Sequence, residues 1–139
     1  MTAIDTNLLF YCLDPSEPVK QELAARLLET LPELVLPWQV LCELANGLTK
    51  LEKKGLEREK GRAYLRNIQR KYPILMPQAP SLQRDLDLQQ KYSLSFWDAN
   101  LVAACLEGAV KTLYSEDITG HPQIEGLTLV NPFAQEVAR

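Results

Sequence analysis

One histidine, His121, and three scattered cysteines leave this sequence little with which to hold a transition metal. Cys12, Cys42 and Cys105 form no CxxC pair and no Cys/His cluster, and their odd number argues against a disulfide framework. Each lies among apolar residues, so buried free thiols in a reducing cytoplasm are the expectation. His121 precedes Pro122 in a polar turn, without the partners that a zinc site or a Ser-His-Asp triad needs. No apolar run is long enough to cross a bilayer. The N-terminus lacks the basic-then-apolar pattern of a secretory signal. No repeat, low-complexity tract or linker divides the chain, and 139 residues suit one domain with a single core. Surplus positive charge is missing as well: 15 basic and 18 acidic residues give a net charge of −3, with no global signal for nucleic acid.

What is present is an ordinary globular composition, 46% hydrophobic and 24% charged, with the charge unevenly spread. Lys50 to Lys71 holds nine Lys or Arg and three Glu, a local +6 that leaves −9 for the remainder. Short apolar runs alternate with longer amphipathic ones. "TAI" before Asp5 reads as a strand start, with "LLFYCL" continuing the apolar run until "DPSEP" breaks it. A helix then starts around Ser16-Glu17-Pro18, carries Val19, Leu23, Leu27 and Leu28 on one stripe and ends near Pro32. "ELVLP" reads as a short buried strand. Pro37 opens a helix with Leu41, Leu44, Leu48 and Leu51 inward, ended by Gly55. A basic helix with Tyr64 or Leu65, Ile68 and Tyr72 follows. After the strand-like "YPILMP", helices are expected over 81–92, around Leu82, Leu86 and Gln89, and over 96–108. "VKTLY" and "LTLV" read as strands. Such alternation predicts an α/β fold, a three-layer α/β/α sandwich around a mainly parallel sheet of four to five strands. Sites in such sheets form beyond the carboxyl ends of the strands.

Several acids stand where such an edge would gather them. Asp5 follows the first strand, and its plainer role is an Asx turn bonding backbone near Asn7. Asp98 lies over Leu101 and Val102 one turn on, with Cys105 beyond, where an unpaired carboxylate loses hydration. Ser95-Phe96-Trp97-Asp98 also fits a capping box, in which the acid bonds back to the cap amide. Glu43 borders a polar helix face beside Gln39, Val40, Asn46 and Gly47, and spacing alone makes it a solvated glutamate. Gly47 leaves one of its sides open. Asp117 and Glu116 follow the "TLYS" strand, with Ser115 able to bond a nearby carboxylate or its own turn. Carboxylates gathered without Lys or Arg repel one another, and hard cations such as Mg²⁺ or Mn²⁺ relieve this through oxygen ligands.

"IDTNLLFYCL", "ELANG", "YSLSFWDANLVAACLEG" and "LYSEDI…GLTLVNPF", in that order across nearly the whole chain, resemble the PIN domain. The last two segments are especially similar to VapC-type ribonuclease toxins of bacterial toxin–antitoxin pairs. The resemblance implies a metal-dependent endoribonuclease whose acids are Asp5, Glu43, Asp98 and Asp117. Asp5, Asp98 and Asp117 would hold one Mg²⁺ or Mn²⁺. Glu43 would stand at the margin, and Asn7 and Ser115 would support as orienting polar residues. Relatives often carry another acid soon after the last, where this chain has Thr119. RNA would be hydrolysed to 5′-phosphate and 3′-hydroxyl ends. The resemblance also implies a homodimer silenced by a small antitoxin.

Because an acidic pocket repels phosphate, substrate must be held from elsewhere. Arg58, Arg62, Arg66 and Arg70, four apart, form a stripe opposite Leu65 and Ile68 that would contact RNA backbone or a partner protein, or simply stay solvated. Trp38 and Trp97 are expected to pack at a core or edge rather than stack on bases. Two rivals are weighed against the nuclease: a catalytically inactive PIN-like module that binds RNA or protein, and a different acid-cluster phosphohydrolase or phospho-accepting receiver. The second lacks paired acids at the first strand, since Thr6 and Asn7 follow Asp5, and its lysine is misplaced, since Lys111 precedes its strand.

Overall fold

The computed structural model describes residues 1–134. In chain order the elements are β1 (Thr2–Ile4), α1 (Thr6–Leu13), α2 (Pro18–Thr30), β2 (Leu34–Pro37), α3 (Trp38–Lys53), α4 (Arg58–Lys71), β3 (Ile74–Leu75), α5 (Ser81–Tyr92), α6 (Phe96–Glu107), β4 (Thr112–Tyr114), β5 (Gln123–Ile124) and β6 (Leu127–Val130). The strands form one sheet in the order β3-β2-β1-β4-β6-β5, parallel except for the antiparallel β5–β6 pair. Every residue of β1 and β2 is buried. Alternate side chains of a strand point to opposite faces, so both faces of the sheet are covered. α5 packs on α6, and α1 packs on α2 and α3, with α4 against α3.

This is the expected α/β/α sandwich with a mainly parallel sheet, widened to six strands where four to five were anticipated. The extra strand is β5, only two residues long, too short to show alternation. "LLFYCL" folds as a helix instead of prolonging the strand. The Asp5 side chain accepts a hydrogen bond from the Thr6 N–H at 2.7 Å and caps α1.

Two faces differ from their sequence reading. In α2 the buried residues are Ala24 and Leu28, and Val19 stands in solvent. In α5 the stripe against α6 is Ser81, Asp85 and Leu88, while Leu82 and Leu86 lie 59% and 52% exposed. Apolar side chains one turn apart pointed to the wrong face because a polar stripe, with a fully buried Asp85, takes the inner one. Burial, then the Glu107 charge, pushes the Asp85 carboxyl upward.

Gly47 serves packing, not Glu43. A Cβ there would meet the Phe10 ring at 2.3 and 2.5 Å, so α1 approaches α3 through this gap. Gly47→Ala is expected to destabilise the protein by about 1–3 kcal/mol through overpacking, overriding the roughly 1 kcal/mol that alanine gains in a helix. Urea unfolding checks this.

Candidate active site

Register brings the site together. Ala3 pairs with Leu113 and Ile4 with Tyr114, so the carboxyl ends of β1 and β4 lie side by side. The chain leaves β1 for β2 on one side and returns to β4 on the other, a switch of direction that opens a crevice at this edge. The residues that follow the two strands, Asp5 and Ser115, are neighbours there: the Asp5 N–H bonds the Tyr114 carbonyl at 2.9 Å, and the Ser115 hydroxyl donates to Asp5 Oδ2 at 2.8 Å. Ser115 Oγ also accepts from the N–H groups of Asp117 and Ile118 at 3.2 and 3.3 Å. One hydroxyl therefore orients the Asp5 carboxylate and shapes the turn that carries Asp117.

The first turn of α1 and the start of α3 extend the arrangement. Asn7 Nδ2 donates to Asp117 Oδ2 at 2.7 Å. The Thr6 hydroxyl donates to Glu43 Oε2 at 3.1 Å, and Gln39 Nε2 donates to Glu43 Oε1 at 2.7 Å. Asn100 Nδ2 in turn donates to Gln39 Oε1 at 2.7 Å, tying α6 to α3. Glu43 is exposed, as its spacing suggested, yet held at both oxygens. Asp5 does not form the Asx turn near Asn7; its oxygens are engaged by Thr6 and Ser115.

The capping box at Ser95 is half formed. The Asp98 N–H donates to Ser95 Oγ at 3.1 Å, and among the described residues no reciprocal bond from the Asp98 carboxylate is made. Its charge acts on Asp117, whose pKa is raised by lost hydration, then by the charges of Glu116, Asp98 and Glu43, against a lowering from Asn7. Asp5 is 7% exposed. Burial pushes it up to about 6, the Ser115 and Thr6 hydrogen bonds pull it down, and Glu43 and Asp117 push it further up. The Asp5 field reaches Cys105 behind it, whose thiol burial and that charge drive up to about 12. Among the described residues none of Asp5, Glu43, Asp98 or Asp117 is ion-paired with a base. Glu116, by contrast, is engaged by Lys20 at 3.2 Å and by the Tyr11 hydroxyl at 2.6 Å.

Among the described residues no three His, Cys, Asp or Glu side chains close into a ready cage for a metal. The donor set is nevertheless all oxygen, anionic, and without a basic partner. Such a set is of the kind that suits a hard divalent cation retaining waters between itself and some of its ligands, and Asp5, Asp98 and Asp117 are the acids that could hold one.

Other candidates fall elsewhere. Arg58, Arg62, Arg66 and Arg70 are exposed on α4, with Arg58 bonded to Glu52 at 3.2 Å. No α4 residue borders the cleft that Glu43 lines. Trp38 and Trp97, expected to pack, are 41% and 63% exposed beside that cleft. Cys42 is exposed rather than buried, and Cys12 is half-buried. His121 bonds the Tyr92 carbonyl at 2.9 Å, a structural role. The site residues that sequence reading passed over are Thr6, Gln39 and Asn100. Gln39 had a signal, standing one helical turn before Glu43. Asn100 had none, because its contact spans two helices distant in sequence.

The family model of the PIN domain matches residues 2–120. No curated protein matches the sequence. Among solved structures the chain resembles a toxin–antitoxin complex from Klebsiella pneumoniae, at 20% identity and a TM-score of 0.69 over 95% of this chain and 98% of that one. It also resembles a sarcin–ricin-loop-cleaving VapC toxin of Mycobacterium tuberculosis, at 18% identity and a TM-score of 0.64 over 84% and 90% of the two chains. A third match is a VapBC complex of Rickettsia felis bound to a promoter DNA fragment, at 20% identity and a TM-score of 0.67 over 94% and 97%.

Proposed function

As this chain belongs to the PIN-domain family, we propose that it is a metal-dependent endoribonuclease, the toxin of a toxin–antitoxin pair. The observation that carries the reading is the buried, base-free Asp5 carboxylate, raised to about 6 beside Glu43 and Asp117 at the switch point of the sheet. A protein that only bound RNA or protein would gain nothing from this costly gathering of like charge.

Asp5, Asp98 and Asp117 would hold Mg²⁺ or Mn²⁺, which when bound neutralises phosphate charge and makes water acidic enough to attack phosphorus. Within the chain, Ser115 and the Thr6 amide fix Asp5, and Asn7 fixes Asp117. Glu43, aimed by Thr6 and Gln39, stands at the margin to orient the attacking water and take its proton. Water adds at phosphorus and the bond to O3′ breaks, leaving a 5′-phosphate and a 3′-hydroxyl. With Glu116 tied to Lys20 and Thr119 standing where relatives often carry another acid, the chain offers little for a second ion.

The apolar pair Leu82 and Leu86 on the outer face of α5 suits a second copy in a homodimer. Arg62, Arg66 and Arg70 offer phosphate contacts away from the acids. We read the chain as a single domain over 1–139 at work in the cytoplasm, in keeping with the free Cys105 thiol; among the described residues no helix is long and apolar enough to cross a membrane. The resemblance to toxin–antitoxin complexes supports a small antitoxin partner.

A cleavage assay tests the proposal. The wild-type protein should cut RNA with Mg²⁺ or Mn²⁺, yield 3′-hydroxyl ends, and stop in chelator. Metal-independent cutting, or 2′,3′-cyclic ends, would defeat it.

A further inference from the structure

Beside the acid edge lies a cleft of ≈510 Å³ that the cleavage chemistry leaves unused. We propose that it is a subsite for one unpaired nucleobase of the RNA, stacked on Trp97 with Trp38 as the second aromatic wall. The proposal rests on the ribonuclease reading and adds to it the side chains that would seat one base beside the cut.

Three observations carry it. The two indoles, 41% and 63% exposed, border the same cleft, together with apolar surface from Leu75 and Pro77. Trp97 is held in place despite its exposure: the Phe96 ring meets it edge-on at 5.1 Å and 78°, and its carbonyl accepts from Gln39 Nε2 at 3.1 Å. The same Gln39 amide grips Glu43, so the cleft wall and the acid edge move as one piece. Polar groups remain at the rim. Asn100 spends Nδ2 on Gln39 and keeps its Oδ1 acceptor, and among the described residues the Asn46 side chain makes no hydrogen bond.

The chemistry selects the occupant. Phosphate is repelled by Glu43 and the neighbouring acids, whereas a base is the neutral part of a nucleotide. It has two apolar faces for indoles and a hydrogen-bonding edge for amides. A second copy of the chain would have to bury Glu43 to enter this cleft, a cost that the separate exposed pair Leu82 and Leu86 does not carry. A base paired in a duplex cannot swing into the cleft, so the subsite reads unpairedness.

The test uses the intact protein in chelator, where cleavage cannot proceed, and a ten-nucleotide mixed-sequence RNA. Titration should quench tryptophan fluorescence when the RNA is single-stranded and not when it is annealed to its complement. Trp97→Ala should weaken single-strand binding by about 5- to 150-fold, the range for loss of one base–aromatic stack, and Trp97→Phe should retain most of it. Alkylation of the exposed Cys42, which lines the cleft, should slow in the presence of single-stranded RNA only. With metal added, Trp97→Ala should raise KM more than it lowers kcat. Unchanged affinity in Trp97→Ala overturns the proposal, as does an equal loss toward duplex and single strand. Sedimentation showing that Trp97→Ala splits a dimer while RNA affinity holds also overturns it, since the face would then be a subunit contact. Binding and quenching by a wild-type protein that cuts no RNA would sink the nuclease reading and leave the base subsite standing. Normal cutting with an indifferent Trp97→Ala would do the reverse.

Discussion

Asp98→Asn leaves a folded protein that no longer cuts RNA. The folding half of this expectation follows from the cap: it is the Asp98 backbone N–H that bonds Ser95 Oγ, and the side chain takes no part. Asparagine keeps the volume and this bond, so stability should stay within about 1 kcal/mol of wild type. The activity half follows from charge. Even partners one step removed from a metal cost 10- to 100-fold when lost, so removing Asp98, if it is a direct ligand as proposed, should cost at least about a hundredfold in kcat/KM. The Asp98 charge also raises the Asp117 carboxyl. Its removal therefore makes Asp117 easier to ionise while the pair that would hold the ion is lost. Cleavage by Asp98→Asn within a few-fold of wild type, in Mg²⁺ or in Mn²⁺, would remove Asp98 from the site. The loss should persist at saturating RNA, which separates it from the KM effect expected at Trp97.

The edge that carries Asp5, Ser115 and Asp117 is largely readable in the sequence. Asp5 and Asp117 each follow a short β-rich run, and in a parallel sheet the ends of neighbouring strands face one way. Asp98 announced itself by lying over Leu101 and Val102. What sequence could not supply was which helix face would turn inward. In α5 the apolar residues Leu82 and Leu86 are outside while Asp85 is inside, the opposite of a periodicity argument. The Trp38 and Trp97 indoles reversed in the same way, since whether an aromatic is covered depends on partners far along the chain. Gly47 illustrates the limit at close range. Its spacing from Glu43 suggested open space for a carboxylate, and only the α1–α3 approach shows that the space belongs to Phe10. Long-range hydrogen bonds such as Asn100 to Gln39 leave no local trace at all.

Asp5→Asn should make the metal-free protein more stable and the metal less stabilising. Burial raises the native Asp5 carboxyl from its ordinary 3.8 to about 6. The folded state thus binds this proton more tightly than the unfolded state, and stability falls as pH rises from about 4 to about 6. Above that range the whole penalty is present. A shift of this size corresponds to about 3 kcal/mol at most, and asparagine can still accept from the Thr6 N–H, while its Nδ2 competes with the Asp117 and Ile118 N–H groups for the Ser115 oxygen. In chelator at pH 7.5 the variant should therefore gain about 1–3 kcal/mol, or a melting temperature roughly 3–10 °C higher. Below about pH 4, where the carboxyl is protonated in both states, the gain should vanish. Metal reverses the comparison. Ion bound only by the folded state stabilises it by about 2.7 kcal/mol at a hundredfold excess over Kd, and a variant without the Asp5 charge should recover less than half of the wild-type shift. Calorimetry with and without Mn²⁺ reads both halves. A destabilised Asp5→Asn in chelator would mean that the carboxylate is satisfied by its hydrogen bonds alone. An unaltered Mn²⁺ shift would mean that the ion is held elsewhere. Both results together would leave the buried acid without the role that its like-charged neighbours suggest.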